Sequence, residues 1–210
     1  MYSELGRIVT SLSNGSVCVL DSQSLQVASS WHAHDFEPWI AAWDYWNPNV
    51  VLSGGDDLRL KAWDVREEPS MPIFTNKRFD AGVTTIQSHP YVEHLFAVGS
   101  YDSRVRLIDI RNPQKPLVET DVGGGVWRVK WHPSETRKTD LLVACMHDGF
   151  KVVRFDTMNS APSAGEVVKR YDGHESLAYG VDWSFGKGKD GETVIASCSF
   201  YDHNLHMWTA

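Results

Sequence analysis

The 210 residues contain no uninterrupted apolar run near the roughly 20 that a helix needs to span a bilayer, so no membrane-crossing helix is predicted. Cysteine is scarce: Cys18, Cys145 and Cys198 are widely separated and odd in number. They suggest neither a disulfide framework nor a zinc-ligand spacing, which points to a reducing, cytoplasmic setting. Met1-Tyr2-Ser3-Glu4 has neither the basic nor the apolar region of a secretory signal. Positive charge is also short, with 20 Lys and Arg against 27 Asp and Glu and a net charge of −7. That balance argues against nucleic acid as a partner. No Gly-x-Ser-x-Gly elbow is present, so a serine-hydrolase mechanism lacks its motif. No long window shows the 3.6-residue periodicity of an amphipathic helix.

Tryptophan, by contrast, is abundant, with nine residues that recur at patterned places. Five segments align: Val17-Cys18-Val19-Leu20-Asp21, Leu60-Lys61-Ala62-Trp63-Asp64, Val105-Arg106-Leu107-Ile108-Asp109, Val152-Val153-Arg154-Phe155-Asp156 and Leu205-His206-Met207-Trp208-Thr209. Their penultimate residues are 43, 45, 47 and 53 positions apart, close to the period of propeller blades. The Gly/Lys-rich run Gly186–Glu192 accounts for the longest step and reads as a surface loop. Six residues before four of these anchors stands Asn14, Asp57, Asp102 or Asp202. Asp148 stands seven before the remaining one, which predicts a one-residue bulge. Upstream lie β-rich runs such as Val50-Val51-Leu52 and Leu141-Leu142-Val143-Ala144, and before those, alternating segments such as Val126–Trp131.

Each unit therefore reads as four antiparallel strands, whose apolar faces find cover only against neighbouring units. The fold class expected is all-β, a WD40-type propeller. The first unit has no innermost strand ahead of Arg7–Leu12, and the last stops at Ala210 before an outer strand. The expectation is three complete blades, over approximately 37–80, 81–124 and 125–174, flanked by partial ones over 1–36 and 175–210, as a segment of a larger propeller. A compact closure of four or five blades is the other arrangement.

The turns between second and third strands and the loops leading into first strands share one rim, and here they are rich in reactive side chains. Asp57, Asp102, Asp148 and Asp202 occupy a structural turn position, with His34 and His174 as expected partners of Asp57 and Asp202. Trp43, Trp63, Trp131, Trp183 and Trp208 read as blade packing. Gly123-Gly124-Gly125 lacks the strand-to-helix context of a phosphate loop, and no cofactor is expected. Cys145 falls late in a buried strand, where a thiol usually fills space. His147, Tyr201 and His203 lie beside the structural aspartates, where the fold requires nothing of them. Arg128, after the triple glycine, is placed to grip a carboxylate. An imidazole near its ordinary pKa can activate water against an ester or amide. Cys145 with His147 has the residue types of a thiol–imidazole pair. A metal held by His147, His203 and Asp56 is a weaker reading, and none is assigned. From residue chemistry alone, a polar interaction rim is favoured over a catalytic one.

The runs Trp31–Ala42, Ser53–Asp57, Gly123–Pro133, Ala144–Lys151 and Cys198–Trp208 together resemble one family. It is the WD-repeat diphthine methyl ester hydrolase family of the diphthamide pathway, historically called diphthine methyltransferase. The resemblance runs from about Trp31 to Trp208 and is to the C-terminal portion of that family. It implies hydrolysis of the methyl ester of methylated diphthine on elongation factor 2. It also implies no nucleic-acid or membrane partner, and a monomer at full length. His147 or His203 would then activate water, with Arg128 and the amides of Gly124 and Gly125 steadying the oxyanion. Tyr201 and Cys145 complete the candidate set. A non-catalytic scaffold or substrate receptor is the competing function.

Overall fold

The computed structural model describes residues 6–66, 69, 71–156, 163–186 and 191–210. Residues 187–190 of the Gly/Lys-rich run lie outside them. The chain forms five antiparallel sheets in sequence order, which bears out the propeller fold class. Strands β1 (Arg7–Ser11), β2 (Ser16–Asp21) and β3 (Val27–His32) make the first, and β4 (Pro38–Trp43), β5 (Val50–Gly55), β6 (Leu60–Asp64) and β7 (Phe74–Asn76) the second. The third comprises β8 (Val83–Ser88), β9 (Leu95–Ser100), β10 (Arg104–Asp109) and β11 (Val118–Asp121). The fourth comprises β12 (Arg128–Trp131), β13 (Asp140–Ala144), β14 (Phe150–Arg154) and β15 (Glu166–Tyr171), and the fifth β16 (Gly180–Trp183), β17 (Val194–Ser199) and β18 (Asn204–Thr209). A short 3₁₀ turn lies at Glu135–Arg137, and no helix among the described residues is long and apolar enough to cross a membrane.

The core lies between sheets rather than within them. Val143 and Leu141 face the third sheet in one cluster with Leu95, Val105 and Val126, whereas Leu142 and Ala144 face the fifth with Val181, Trp183 and Trp208. Period-2 alternation thus gives the middle strands of the three inner sheets, β5, β9 and β13, two buried faces, which is why they are mostly apolar or small-residue runs, whereas β17 of the fifth sheet alternates buried and exposed. The outermost strand β15 is exposed along nearly its whole length, with Tyr171 alone half-buried.

Register corrects one expectation. Val153, not Phe155, pairs with Leu141 as Trp63 pairs with Val51, so the third-strand anchor of the fourth sheet sits two residues earlier than the sequence pattern suggests. The turn has no extra residue: Ala144 pairs with Phe150 just as Gly54 pairs with Leu60. His147 therefore occupies the turn centre held by Asp57 and Asp102 elsewhere, and Asp148 sits one position later.

Each turn carboxylate binds within its own sheet. In the second, Trp63 Nε1 donates to Ser53 Oγ (2.8 Å), Ser53 to His34 Nε2 (2.7 Å), and His34 Nδ1 to Asp57 Oδ1 (2.8 Å). The fifth repeats this relay through Trp208, Ser197, His174 and Asp202, at 3.2, 3.0 and 3.0 Å. In the third, Arg106 grips Asp102 with two guanidinium nitrogens, at 3.1 and 2.7 Å. In the fourth, Asp148 takes Lys151 at 2.5 Å and Arg170 at 2.6 Å. Burial alone would raise the Asp57 carboxyl, yet the His34 bond and the nearby Lys61 hold it below the ordinary range.

A different set of bonds ties the opposite face together. Trp46 Nε1 donates to His89 O (2.9 Å), His89 Nε2 to Lys138 O (2.8 Å), and His132 Nε2 meets Thr193 Oγ1 (2.8 Å), so each link joins one sheet to the next. His89 Nδ1 accepts from the amides of Tyr91 and Val92, which fixes the neutral ring.

Asp57→Ala strips the partner from a fully buried imidazole and from Lys61. It is expected to cost roughly 2–4 kcal/mol in a denaturant titration, and a change under 0.5 kcal/mol would contradict the relay's role. Burial holds the His89 ring at about 4, against an ordinary 6.5. The unfolded chain takes up a proton between those values and the fold does not. Stability should therefore fall as pH drops from about 6.5 to about 4, by up to ~3 kcal/mol from this group, and His89→Gln should flatten that slope in melting curves taken at pH 7, 6 and 5.

Candidate functional site

The rim formed by the relay turns surrounds the upper ends of the innermost strands β4, β8, β12 and β16. There the register slips. Pairing passes from Pro38–Gly55 to Ile40–Gly54, which leaves Trp39 as the extra residue, and from Val83–Ser100 to Thr85–Gly99, which leaves Thr84. Trp127 and Tyr179 hold the matching positions, just before the first pairs of β12 and β16. Around them stand the residues preceding the turn centres or turn aspartates: Asp56, Tyr101, Met146 and Tyr201.

These positions form one aromatic arc. Ring centroids are 5.5 Å apart for Trp39 and Trp127, 6.3 Å for Trp39 and Tyr101, and 5.9 Å for Tyr101 and Trp127. The arc continues through Tyr179, 4.9 Å from Trp127, to Tyr201, 6.2 Å further. Asp56 Oδ1 accepts the Trp39 indole N–H at 2.7 Å. Burial, with the charge of Asp56 and the neighbouring Tyr179, pushes the Tyr101 phenol up to about 12, so it is neutral across the physiological range.

The arc is the feature that the sequence reading missed. Its signal was present, since Trp39, Trp127 and Tyr179 share one position of the repeat. Exposing it requires the strand register, because a residue extruded by a bulge breaks the alternation that marks inward and outward positions.

A groove of about 710 Å³ opens between the fourth and fifth sheets, lined among others by Met146, His147, Arg170, His174, Glu175 and Tyr201. His147 is exposed and makes no hydrogen bond to another described residue. Tyr201 is 61% exposed. His203 is also exposed, in left-handed backbone at φ 58°, with its ring 6.2 Å from Phe200. It does not line the groove that holds His147 and Tyr201.

Arg128 is half-buried on β12 and has no ion pair or hydrogen bond among the described residues. Burial pulls its pKa below the ordinary value, while the charge of Asp182 pushes back. The Gly124 and Gly125 amides likewise donate to no described acceptor, in contrast to Gly123, whose N–H binds Asp121. Gly124 has a packing reason as well. A Cβ there would lie 2.2 Å from Cys145 O and 3.0 Å from Asp148 Cβ, so the triple glycine lets the loop press on the turn.

Two sequence readings are corrected. Cys145 is fully buried and burial pushes its thiol up to about 12, so it offers no thiolate and forms no pair with the outward-facing His147. The grouping of His147, His203 and Asp56 is not a metal site either: Asp56 is engaged with Trp39, and no set of three metal-binding side chains converges among the described residues. Asp57 and Asp202 hold the histidines expected of them, whereas the partners of Asp102 and Asp148 are cations from neighbouring strands.

Comparison with known proteins places these features in context. The chain is 40% identical over 219 residues to a diphthine methyltransferase homolog of Dictyostelium discoideum, a match covering 96% of this chain and 59% of the relative. It is 45% identical over 183 residues to the diphthine methyltransferase of Homo sapiens, covering 85% of this chain and 40% of that protein. The chain thus spans between two fifths and three fifths of these relatives' lengths. No family model matches it. A chain in the crystal structure of a mitotic checkpoint complex superposes with a TM-score of 0.79 at 18% identity, over 98% of this chain and 59% of that one, a likeness of fold.

Cysteine reactivity tests the burial directly. In the native chain a thiol reagent should modify the exposed Cys198 and leave Cys18 and Cys145 untouched until denaturant is added. Rapid native labelling of Cys145 would show that the turn is open.

Proposed function

The chain belongs, over the stretch it spans, to the diphthine methyltransferase family, and on that premise we propose that it removes the methyl ester of methylated diphthine on elongation factor 2 during diphthamide biosynthesis. The observation that carries the reading is the rim's stock of uncommitted polar groups. The fold uses Asp57, Asp102, Asp148 and Asp202 for itself, yet leaves the side chains of His147 and Arg128 and two backbone amides without partners among the described residues.

In this reading His147 takes a proton from a water molecule as the water oxygen attacks the ester carbonyl carbon. The carbonyl electrons move onto oxygen, where Arg128 and the amides of Gly124 and Gly125 offset the developing charge. On collapse the carbon–methoxy bond breaks and the proton held by His147 leaves with methanol. The second proton of the water passes to solvent, and a carboxylate remains on the substrate. His203 is the alternative base, and Tyr201 lines the groove through which the substrate side chain would lie.

One observation favours a second reading. No described carboxylate orients His147 or His203, whereas base histidines in hydrolases usually have such a partner. On that view the rim is a non-catalytic platform that holds elongation factor 2 for another enzyme.

Mass spectrometry of elongation factor 2 bearing methylated diphthine, incubated with a chain extended to the length of its relatives, separates the two. Loss of one methyl ester, slowed at least roughly a hundredfold by His147→Ala, is the expected result. Wild-type rates in both His147→Ala and His203→Ala would remove the histidines from the mechanism. An unchanged mass with stable binding would establish the platform.

A further inference from the structure

We infer that Met146 is a positioning residue: its left-handed backbone, tied to Ala178 of the next blade, sets where the His147 imidazole stands. The inference rests on the reading of His147 as the base. Two seams between neighbouring sheets reveal the device. Between the third and fourth, the Val126 N–H donates to Ser100 O at 3.0 Å. Val126 precedes Trp127, and Ser100 closes β9 one residue after the Gly99–Val105 pair. Between the fourth and fifth, Ala178 holds the place of Val126, since it precedes Tyr179. Cys145 is the matching acceptor, one residue after the Ala144–Phe150 pair. Yet the Ala178 N–H donates to Met146 O instead, at 2.8 Å, and makes an isolated antiparallel bridge. The acceptor has moved one residue into the turn.

Met146 meets that shift by adopting φ 37°, where the Cβ of an L residue crowds the backbone. In the second and third sheets the left-handed residue follows the turn centre, as Leu58 (φ 59°) and Ser103 (φ 67°). In the fourth it comes before the centre, which is His147. Strain of this kind persists where the surroundings over-determine it, and it gathers at functional sites. The surroundings here are specific. Cys145 O accepts the Asp148 N–H at 2.7 Å, and the Cys145 N–H donates to Gly149 O at 2.9 Å. Gly125 lies so near that a Cβ there would sit 3.1 Å from Met146 Sδ. The chain before His147 is thus pinned to the fifth sheet. The chain after it is pinned through Asp148, whose carboxylate holds Lys151 and Arg170. Only the imidazole is left outside, exposed in the groove. Met146 and Leu177 both line that groove, so the bridge ties its two walls. A base histidine usually takes its orientation from a carboxylate, and His147 has none among the described residues. The clamped backbone supplies that orientation instead.

The test uses a chain extended to the length of its relatives, with methyl-ester loss and nitrogen-15 relaxation of the His147 amide as readouts. Met146→Gly removes the strained Cβ and the packing on Gly125, while Ala178→Pro removes the bridging donor. Each is expected to loosen the His147 amide and lower kcat at least roughly tenfold, with KM changed less than about twofold. Met146→Leu keeps a Cβ and similar bulk, and Leu58 already adopts a left-handed backbone, so it should match the wild type in both readouts. An unchanged His147 amide in both Met146→Gly and Ala178→Pro would overturn the bridge's role, whatever happens to the ester. A loosened amide with wild-type kcat would overturn positioning and leave a purely structural bridge. Wild-type turnover by His147→Ala would instead sink the reading of His147 as base, and with it the catalytic half of the inference.

Discussion

The carboxylate in the turn between second and third strands is the constraint on which the rest depends. A five-residue turn at the tip of a blade has little apolar surface to hold it, and its backbone polar groups lie where water competes for them. A buried acid fixes it, but only if its charge is met. Four sheets meet that charge in different ways: through a Trp–Ser–His relay for Asp57 and Asp202, a bidentate guanidinium for Asp102, and a lysine with an arginine for Asp148. The first sheet, with Asn14, manages with a local bond to Ser16 N. The repeated element is an acid in the turn whose charge is met, at the turn centre in the second and third sheets and one position later in the fourth, and the partner is free to vary.

Because the turns are fixed from within, the residues beside them are released from structural duty. That freedom explains why the rim shows aromatic rings, exposed imidazoles and an unpaired guanidinium side by side. The opposite face is the reverse case, since His89, His132 and Trp46 spend their polar atoms bridging adjacent sheets. Histidines bridge neighbouring sheets on that face, whereas the rim buries His34 and His174 in relays within their own blades and exposes His147 and His203.

Much of this was legible in the sequence, for definite reasons. The steps of 43 to 53 residues, the turn acids and the buried β-branched runs encode blade order, because packing between sheets demands them once per blade. The pairs His34–Asp57 and His174–Asp202 were legible too. What escaped was register. Phe155-Asp156 imitates Trp63-Asp64 closely enough to shift the fourth repeat by two residues, and only strand pairing shows that Lys151 is the counterpart of Lys61. The cationic partners Arg106, Lys151 and Arg170 could not be read, since a charge on a strand is ordinarily a solvated one. Cys145 and His147 are two residues apart, but burial of one and exposure of the other is a property of the turn alone. The arc needed the bulge at β4, which extrudes Trp39 and leaves no mark in composition.

The central claim is that adjacent rim residues divide the labour, the turn acid holding the fold and its neighbour serving the substrate. Asp202 and Tyr201 test it most directly, because they are consecutive in one turn and differ in what they touch. Melting temperature and methyl-ester loss should be measured on Asp202→Ala and Tyr201→Ala in a chain extended to the length of its relatives. The account predicts that Asp202→Ala lowers the melting temperature by several degrees. It predicts that Tyr201→Ala leaves melting unchanged and slows ester loss. Equal melting losses in the two variants, or unimpaired turnover in a folded Tyr201→Ala protein, would contradict it.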